Sequence, residues 1–427
     1  MKKIISTALL LLLAGCSFGG PIDNMLSPPR LSKEETAVIE ALEAAIGFDY
    51  RLVYPRAGER RSAVIIENID SDTEKEAIAF YKPSDTSNTA ADVHVNIIDK
   101  NADGAWVSVY DHTGDGTEID RVLINRIGDS KVPFLVLGFT DVSGNKSARV
   151  YSFSDNRLSD SLTGNYVTMF IKDVLQDGSN ELCIITPNAQ TAAAAKLISI
   201  SGSVIYEWGQ APLNPDATDF SNIVSGYVSS TTPALFIDGL AAGELYTDII
   251  YAVGDGQMRN PMYLPQSQLL LKTKRQNGYF SADIDLDGIV EIPTTSLFPG
   301  YNSFDENAVW AVNWNALSNY DIVKKYTSYY SLTNGYCFLF PNRWDGVVTA
   351  AEDGAETVFM KYSSEPAERT ELMRIAVTDN AEDKTAAGWK VINRKDDFVY
   401  WIKNSSDTAE PLVLTDTEIK YNFYILV

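Results

Sequence analysis

The feature that most constrains this fold is a unit that recurs five times between residues 62 and 297. In each copy an alternating apolar strand runs into a polar turn, and a second apolar strand leaves it. The copies read SAVIIENIDSDTEKEAIAFY, IDRVLINRIGDSKVPFLVLGF, YVTMFIKDVLQDGSNELCIIT, FSNIVSGYVSSTTPALFIDG and NGYFSADIDLDGIVEIPTTS. Aligning the turns puts Asn68, Arg126, Asp173, Ser225 and Asp283 in register, at spacings of 58, 47, 52 and 58. Eight residues past each come Glu76, Phe134, Glu181, Pro233 and Glu291. A third strand follows at a similar offset in every copy, and several copies add a fourth, such as AWVSVYD and SVIYEWG. A lone unit of short alternating strands cannot bury both faces, so neighbours must stack to complete a core. The pattern predicts a mainly β fold: a β-propeller of about five four-stranded blades followed by a small α+β domain. Its rival is a β-sandwich of irregular repeats. The short strand at 51–54 is expected to close the ring by pairing with the last blade.

The turns carry the only metal chemistry in the pattern. In the fifth copy Asp283, Asp285 and Asp287 place carboxylates at positions 1, 3 and 5, Ile289 a carbonyl at 7, and Glu291 a carboxylate at 9. All-oxygen ligands at this spacing suit a hard cation such as Ca²⁺, and Gly288 permits a tight left-handed turn. The first copy keeps oxygen-bearing side chains at Asn68, Asp70, Asp72, Glu74 and Glu76, with Thr73 where glycine is expected. The third copy retains Asp173, Asp177 and Glu181 but has Leu175 where a ligand belongs, and reads as an empty acidic turn. The second and fourth copies have lost the ligands and keep only the turn.

The 283–291 stretch resembles the calcium loops of FG-GAP (integrin-α-like, VCBS-type) β-propeller repeats, in which such a loop joins two strands of one blade. The resemblance implies a structural Ca²⁺ held by Asp283, Asp285, Asp287, the Ile289 carbonyl and Glu291 as the better site. Asn68, Asp70, Asp72, Glu74 and Glu76 form the weaker one. It also implies a surface module that binds proteins or glycans across the propeller face. Another acidic loop, 111–118, lacks the 1-3-5 spacing and reads as a hairpin tip.

Ahead of the repeat the chain reads as an address. Lys2 and Lys3 precede an apolar run too short to span a bilayer but right for a secretory signal. The run ends in Leu13-Ala14-Gly15-Cys16, which resembles a bacterial lipobox. That resemblance implies that Cys16 is lipidated and anchors the exported protein to the cell membrane, facing outward. Residues 1–15 are thus expected as lipoprotein signal peptide, 16–32 as tether and 33–47 as an amphipathic helix. Ser32 and Glu35 form a capping box for that helix, and Gly47 ends it. Residues 48–325 are expected to hold the propeller repeats, with Lys324-Lys325 and Tyr329-Tyr330 in a solvated segment joining the domains. In the 326–427 domain a second capping box at Thr415 and Glu418 predicts a helix over 419–425.

Charge and residue counts narrow the function. Lys+Arg number 35 against 57 Asp+Glu, a net charge of −22, and such a surface repels phosphate backbones, which argues against nucleic acid. Beyond Cys16, only Cys183 and Cys337 remain, each in an apolar strand and expected as a buried free thiol. The two histidines, His94 and His112, stand apart from any nucleophile pattern, and no hydrolase elbow, Walker loop or zinc-protease motif occurs. Trp310 and Trp314 project from one strand, where packing between blades is favoured over stacking on a sugar ring. The reading is a lipid-anchored extracytoplasmic surface protein whose propeller binds a protein or glycan, with calcium-stabilised turns, and more a binder than an enzyme. The alternatives are a hydrolase or lyase acting on envelope polysaccharide, and a purely structural envelope protein.

Overall fold

Apolar residues at period two drive this chain into antiparallel meanders, in which each strand turns back on the one before it. The structure, a computed structural model, describes residues 32–84, 91–187, 193–202, 204–254, 256–263, 268–407 and 409–426. The signal sequence, Cys16 and the tether lie outside the described residues. Among the described residues the fold is mainly β, with six antiparallel sheets of four or five strands. The chain divides into two compact units, Met1–Ile124 with Val132–Thr163, and Asn125–Lys131 with Gly164–Val427.

The first unit carries two sheets. One contains Tyr50–Leu52, Val64–Glu67, Glu76–Pro83, His94–Lys100 and Trp106–Thr113; the other contains Glu118–Asn125, Phe134–Thr140, Lys146–Ser154 and Arg157–Asn165. The strand Glu76–Pro83 shows why its sequence is apolar throughout. Ile78 and Phe80 face the second sheet in a core with Leu135, Leu137 and Phe139, whereas Ala77, Ala79 and Tyr81 face helix α1 (Lys33–Ile46). Val38, Ala41 and Leu42 form the helix stripe that covers this face. The helix starts at the capping box, with the Glu35 amide donating to Ser32 Oγ at 3.1 Å and the Ser32 amide to Glu35 Oε2 at 2.8 Å. Gly47, at φ 86°, ends it by donating to the Glu43 carbonyl.

The second unit carries four sheets. The third sheet comprises Thr168–Lys172, Glu181–Thr186, Ala194–Ser201 and Val204–Pro212. The fourth is built on Asp219–Ser229, Thr232–Ala241 and Glu244–Ala252. The fifth holds Ile292–Leu297, Trp310–Ser318, Asp321–Ser331, Tyr336–Leu339 and Phe423–Ile425. The sixth holds Val348–Asp353, Glu356–Lys361, Thr370–Asp379, Phe398–Asn404 and Lys390–Lys395. Leu235 and Ile237 pack with Cys183 and Leu197 of the third sheet, while Ala234 and Phe236 pack with Val290 and Ile292 beside the fifth. Tyr336 and Phe338 then share an aromatic core with Trp344, Phe359 and Tyr400 of the C-terminal region. Burying each of these large side chains stabilises by about 1.5–3 kcal/mol.

Several expectations change in the structure. The strand Tyr50–Leu52 pairs with Glu76–Pro83 in its own sheet (Tyr50 opposite Pro83), because the chain leaving α1 runs along the sheet that α1 covers. The 111–118 segment is not a hairpin tip; it passes from the first sheet to the second. Gly114 and Gly116 are required there, since a Cβ would lie 2.3 Å from the Phe139 ring and 2.6 Å from the Thr140 carbonyl. The fourth copy has no long loop at 225–233: Asp219–Ser229 stays extended, pairs Tyr227 with Pro233 and reverses in a tight turn at Ser230–Thr231. Gly226 admits Val290 at that point, since a Cβ would meet its Cγ2 at 2.5 Å. At the C-terminus the capping box at Thr415 forms, but the helix α2 spans Asp416–Asn422, and Phe423–Ile425 becomes a strand beside Tyr336–Leu339. Strand Asp321–Ser331 runs without a break through residues 325 and 326. Cys183 and Cys337 are buried free thiols.

Candidate functional site: the acidic turns

Three of the five turns are built on one frame. In the first, third and fifth copies the glutamate eight residues past the turn start folds back and accepts an amide from the turn's second residue. Ile69 N–H donates to Glu76 Oε2 at 2.7 Å, Val174 N–H to Glu181 Oε2 at 2.9 Å, and Ile284 N–H to Glu291 Oε2 at 3.1 Å. The fourth residue of each turn is left-handed although none is glycine: Ser71 at φ 69°, Gln176 at 56° and Leu286 at 62°. The sequence alignment treated these glutamates as ligands and missed their role as latches, though their recurrence at one offset was the signal. All three are buried, and loss of water pushes each carboxyl up to about 7.

Within the second unit the turns lie side by side. Gly128 N–H of the second turn donates to the Asn180 carbonyl of the third at 2.7 Å. Tyr227 reaches both neighbours: its hydroxyl lies 3.4 Å from Gln176 Oε1, its amide donates to the Gly288 carbonyl at 2.9 Å, and its carbonyl accepts from Val290 N–H at 3.1 Å. Hydrogen bonds thereby tie the second copy to the third, the third to the fourth and the fourth to the fifth.

The first turn gathers Asp70, Asp72 and Glu76, whose carboxylate oxygens lie within 4.8 Å of one another. The other two expected ligands are drawn elsewhere. Asn68 Oδ1 accepts from Ser71 N–H at 2.6 Å and its Nδ2 donates to the Asp72 carbonyl at 2.7 Å, while Glu74 takes the Lys100 ammonium at 2.9 Å. Asp70 and Asp72 each use Oδ1 on a backbone amide two residues on. Glu76 Oε1 is buried and has no hydrogen-bond partner among the described residues. A buried acceptor left unmade costs about 1–3 kcal/mol, and a hard cation between these carboxylates is the chemistry that removes that cost. The residues present therefore fit a divalent, oxygen-seeking ion.

The fifth turn gathers Asp283, Asp285 and Asp287 in the same way. Asp283 accepts from Asp287 N–H at 3.0 Å and Gly288 N–H at 2.9 Å, and Asp287 Oδ1 from Ile289 N–H at 2.8 Å. Ile289 itself lies in a parallel bridge to Tyr227. Here a cation is already supplied. The Lys325 ammonium lies 2.9 Å from Asp285 Oδ2, 2.6 Å from Asp287 Oδ2 and 2.9 Å from Glu291 Oε1. Tyr326 donates to Asp285 Oδ2 at 2.6 Å. Burial opposes the charge on Lys325, but hydrogen bonds to the three carboxylates outweigh it and hold the ammonium well above its ordinary range. Lys325 was expected in a solvated joining segment. It sits instead in the strand Asp321–Ser331, and nothing local to the turn announces it.

The third turn repeats the pattern without the third carboxylate: Asp173 accepts from Asp177 and Gly178 amides at 3.1 and 3.0 Å, and Leu175 occupies the ligand position. Elsewhere, His94 Nδ1 lies 2.8 Å from Asp111 Oδ1, whose other oxygen accepts from Tyr81 and Asn96. Trp314 is buried and donates to Ser328 Oγ at 2.9 Å, so it is core; Trp310 is 40 % exposed. No helix among the described residues is long and apolar enough to cross a membrane.

No protein-family model matches the sequence, and no curated protein matches it. Among solved structures the chain is similar to a rhamnogalacturonan lyase PL11 of Bacillus licheniformis, at a TM-score of 0.32 and 14 % identity. The match covers 74 % of this chain and spans 61 % of the length of that lyase.

Proposed function

We propose that this chain is a lipid-anchored surface protein of the bacterial envelope, exported and facing outward, whose sheets act as propeller blades that present a binding face to a protein or glycan. One observation carries the reading: three turns share the same buried glutamate latch and the same left-handed fourth residue, at the offsets where the sequence repeats. Equivalent turns on equivalent sheets are what blade repeats require, and loops held on a rigid scaffold are where binding residues concentrate. Calcium, in this reading, is structural and belongs to the first turn, between Asp70, Asp72 and Glu76. When bound it supplies the positive charge that the buried Glu76 oxygen lacks. Asp70 and Asp72 hold their side chains ready by spending one oxygen each on the turn's own amides. Cys16 is the lipid attachment point, and the acidic surface keeps nucleic acid away.

The test has two parts. Expressed in a bacterial host, the full chain should incorporate labelled palmitate and fractionate with membranes, and Cys16→Ser should lose the label. The Cys16→Ser chain should then co-sediment with isolated envelope fragments, and pretreating those fragments with protease or with glycosidases separates a protein partner from a glycan. A wild-type chain that stays soluble and unlabelled, or a chain that co-sediments with no fraction, overturns the proposal.

A further inference from the structure

The family resemblance assigns its best calcium site to the fifth turn, and the side chains there disagree with that assignment. We infer that the 283–291 turn is a metal-free turn whose resident cation is the Lys325 ammonium, supplied from the strand Asp321–Ser331 of the adjoining sheet. The inference rests on the reading of these acidic turns as cation-stabilised loops, and divides them by the cation each one uses.

Three observations carry it. The oxygens that Lys325 takes, one each from Asp285, Asp287 and Glu291, are those a calcium ion needs at positions 3, 5 and 9. Calcium ligands stand at 2.3–2.6 Å, so an ion and the ammonium cannot share the pocket, and their charges repel at any nearby position. Second, Asp283 at position 1 has both oxygens committed to backbone amides, and Tyr326 fills a further direction on Asp285. Third, the first turn supplies the contrast. There the Lys100 ammonium reaches Glu74 at the rim, and the latch oxygen Glu76 Oε1 is left without a hydrogen-bond partner among the described residues. In the fifth turn the matching oxygen, Glu291 Oε1, is the one bonded to Lys325. The two turns thus solve one electrostatic problem in two ways. A tethered ammonium gives a turn whose order is independent of calcium concentration, whereas the first turn depends on the ion.

Asp285 Oδ1 is buried without a hydrogen bond, so an oxygen remains for an ion once the ammonium is gone. Lys325→Met should therefore convert the fifth turn into a calcium site, whereas Lys325→Arg, which keeps the charge, should not. The measurement is calcium titration calorimetry on the purified full chain, with Tb³⁺ luminescence as a second readout. Tyr326, in contact with Asp285, is placed to sensitise a lanthanide in the fifth turn. The wild type should bind calcium in the first turn only, losing it in Asp72→Asn and keeping it in Asp285→Asn. Lys325→Met should bind one calcium more and gain Tb³⁺ emission. If the wild type binds no calcium but Lys325→Met does, the Lys325 inference stands and the first-turn reading falls. If Asp285→Asn removes a calcium from the wild type, or Lys325→Met gains none, the inference is overturned. Should Lys325→Met not fold, the Asp285→Asn comparison on an intact Lys325 decides.

Discussion

Replacing Arg275 by methionine tests whether a buried ion pair ties the fourth sheet to the segment that enters the fifth turn. Both side chains of the Arg275–Asp238 pair are 0 % exposed, with Nη2 2.6 Å from Oδ1. Asp238 also accepts from Thr247 Oγ1 at 2.7 Å, Ser281 N–H at 2.7 Å, Ser281 Oγ at 2.8 Å and Asn222 Nδ2 at 2.9 Å. Arg275 in turn donates to the Tyr279 and Thr273 carbonyls at 2.5 and 2.9 Å. Ser281 stands two residues ahead of Asp283, so the network fixes where the turn begins. Methionine fills much of the arginine volume but leaves the Asp238 charge buried without a counter-charge, which costs about 3–5 kcal/mol. Adding Asp238→Asn removes that charge and keeps an acceptor for Ser281, so the double variant should recover about 2 kcal/mol. The assay is urea unfolding followed by tryptophan fluorescence, since all tryptophans except Trp106 lie in the second unit. A loss below about 1 kcal/mol in Arg275→Met, or a double variant no more stable than the single one, would refute the argument.

Two further predictions follow from burial. Glu181 is buried and its carboxyl is raised from 4.5 to about 7, so the folded chain holds a proton there that the unfolded chain has released. Its contribution to stability is fullest below pH 4.5 and is lost as pH rises toward about 7, so Glu181→Gln should gain on the wild type across that window by at most about 3 kcal/mol. A stability difference that stays flat with pH, read by urea midpoints, contradicts the burial argument. Leu42 is fully buried between α1 and the first sheet, so Leu42→Ala should destabilise the first unit by about 2–5 kcal/mol and raise amide exchange along α1. Unchanged exchange would mean that the helix does not depend on this contact.

Much of this molecule was legible from local pattern. The helix Lys33–Ile46 and its capping box, the strand that leaves each turn, and the register of the 68, 173 and 283 turns all rest on interactions within about nine residues, whereas the expected strand into the fifth turn is a single bridge at Ala282. Period-two alternation and backbone-capping aspartates act over that range whatever the rest of the chain does. The corrections share an opposite cause. In the fourth copy the turn shrinks to Ser230–Thr231 and Gly226 admits Val290 from more than sixty residues later, and Phe423–Ile425 left the expected helix to pair with a strand more than eighty residues earlier.

The site divides the same way. By itself the sequence determined which residues carry carboxylates and where each turn lies, because those follow from spacing along one loop. Tertiary structure alone decided which cation each turn uses. Glu76 keeps an unpartnered oxygen because no lysine is delivered to it, while Glu291 meets Lys325 across 34 residues because a neighbouring strand runs past with that side chain facing the turn. Charge balance in a buried cluster depends on what the fold brings within about 3 Å, and no local spacing rule encodes that distance.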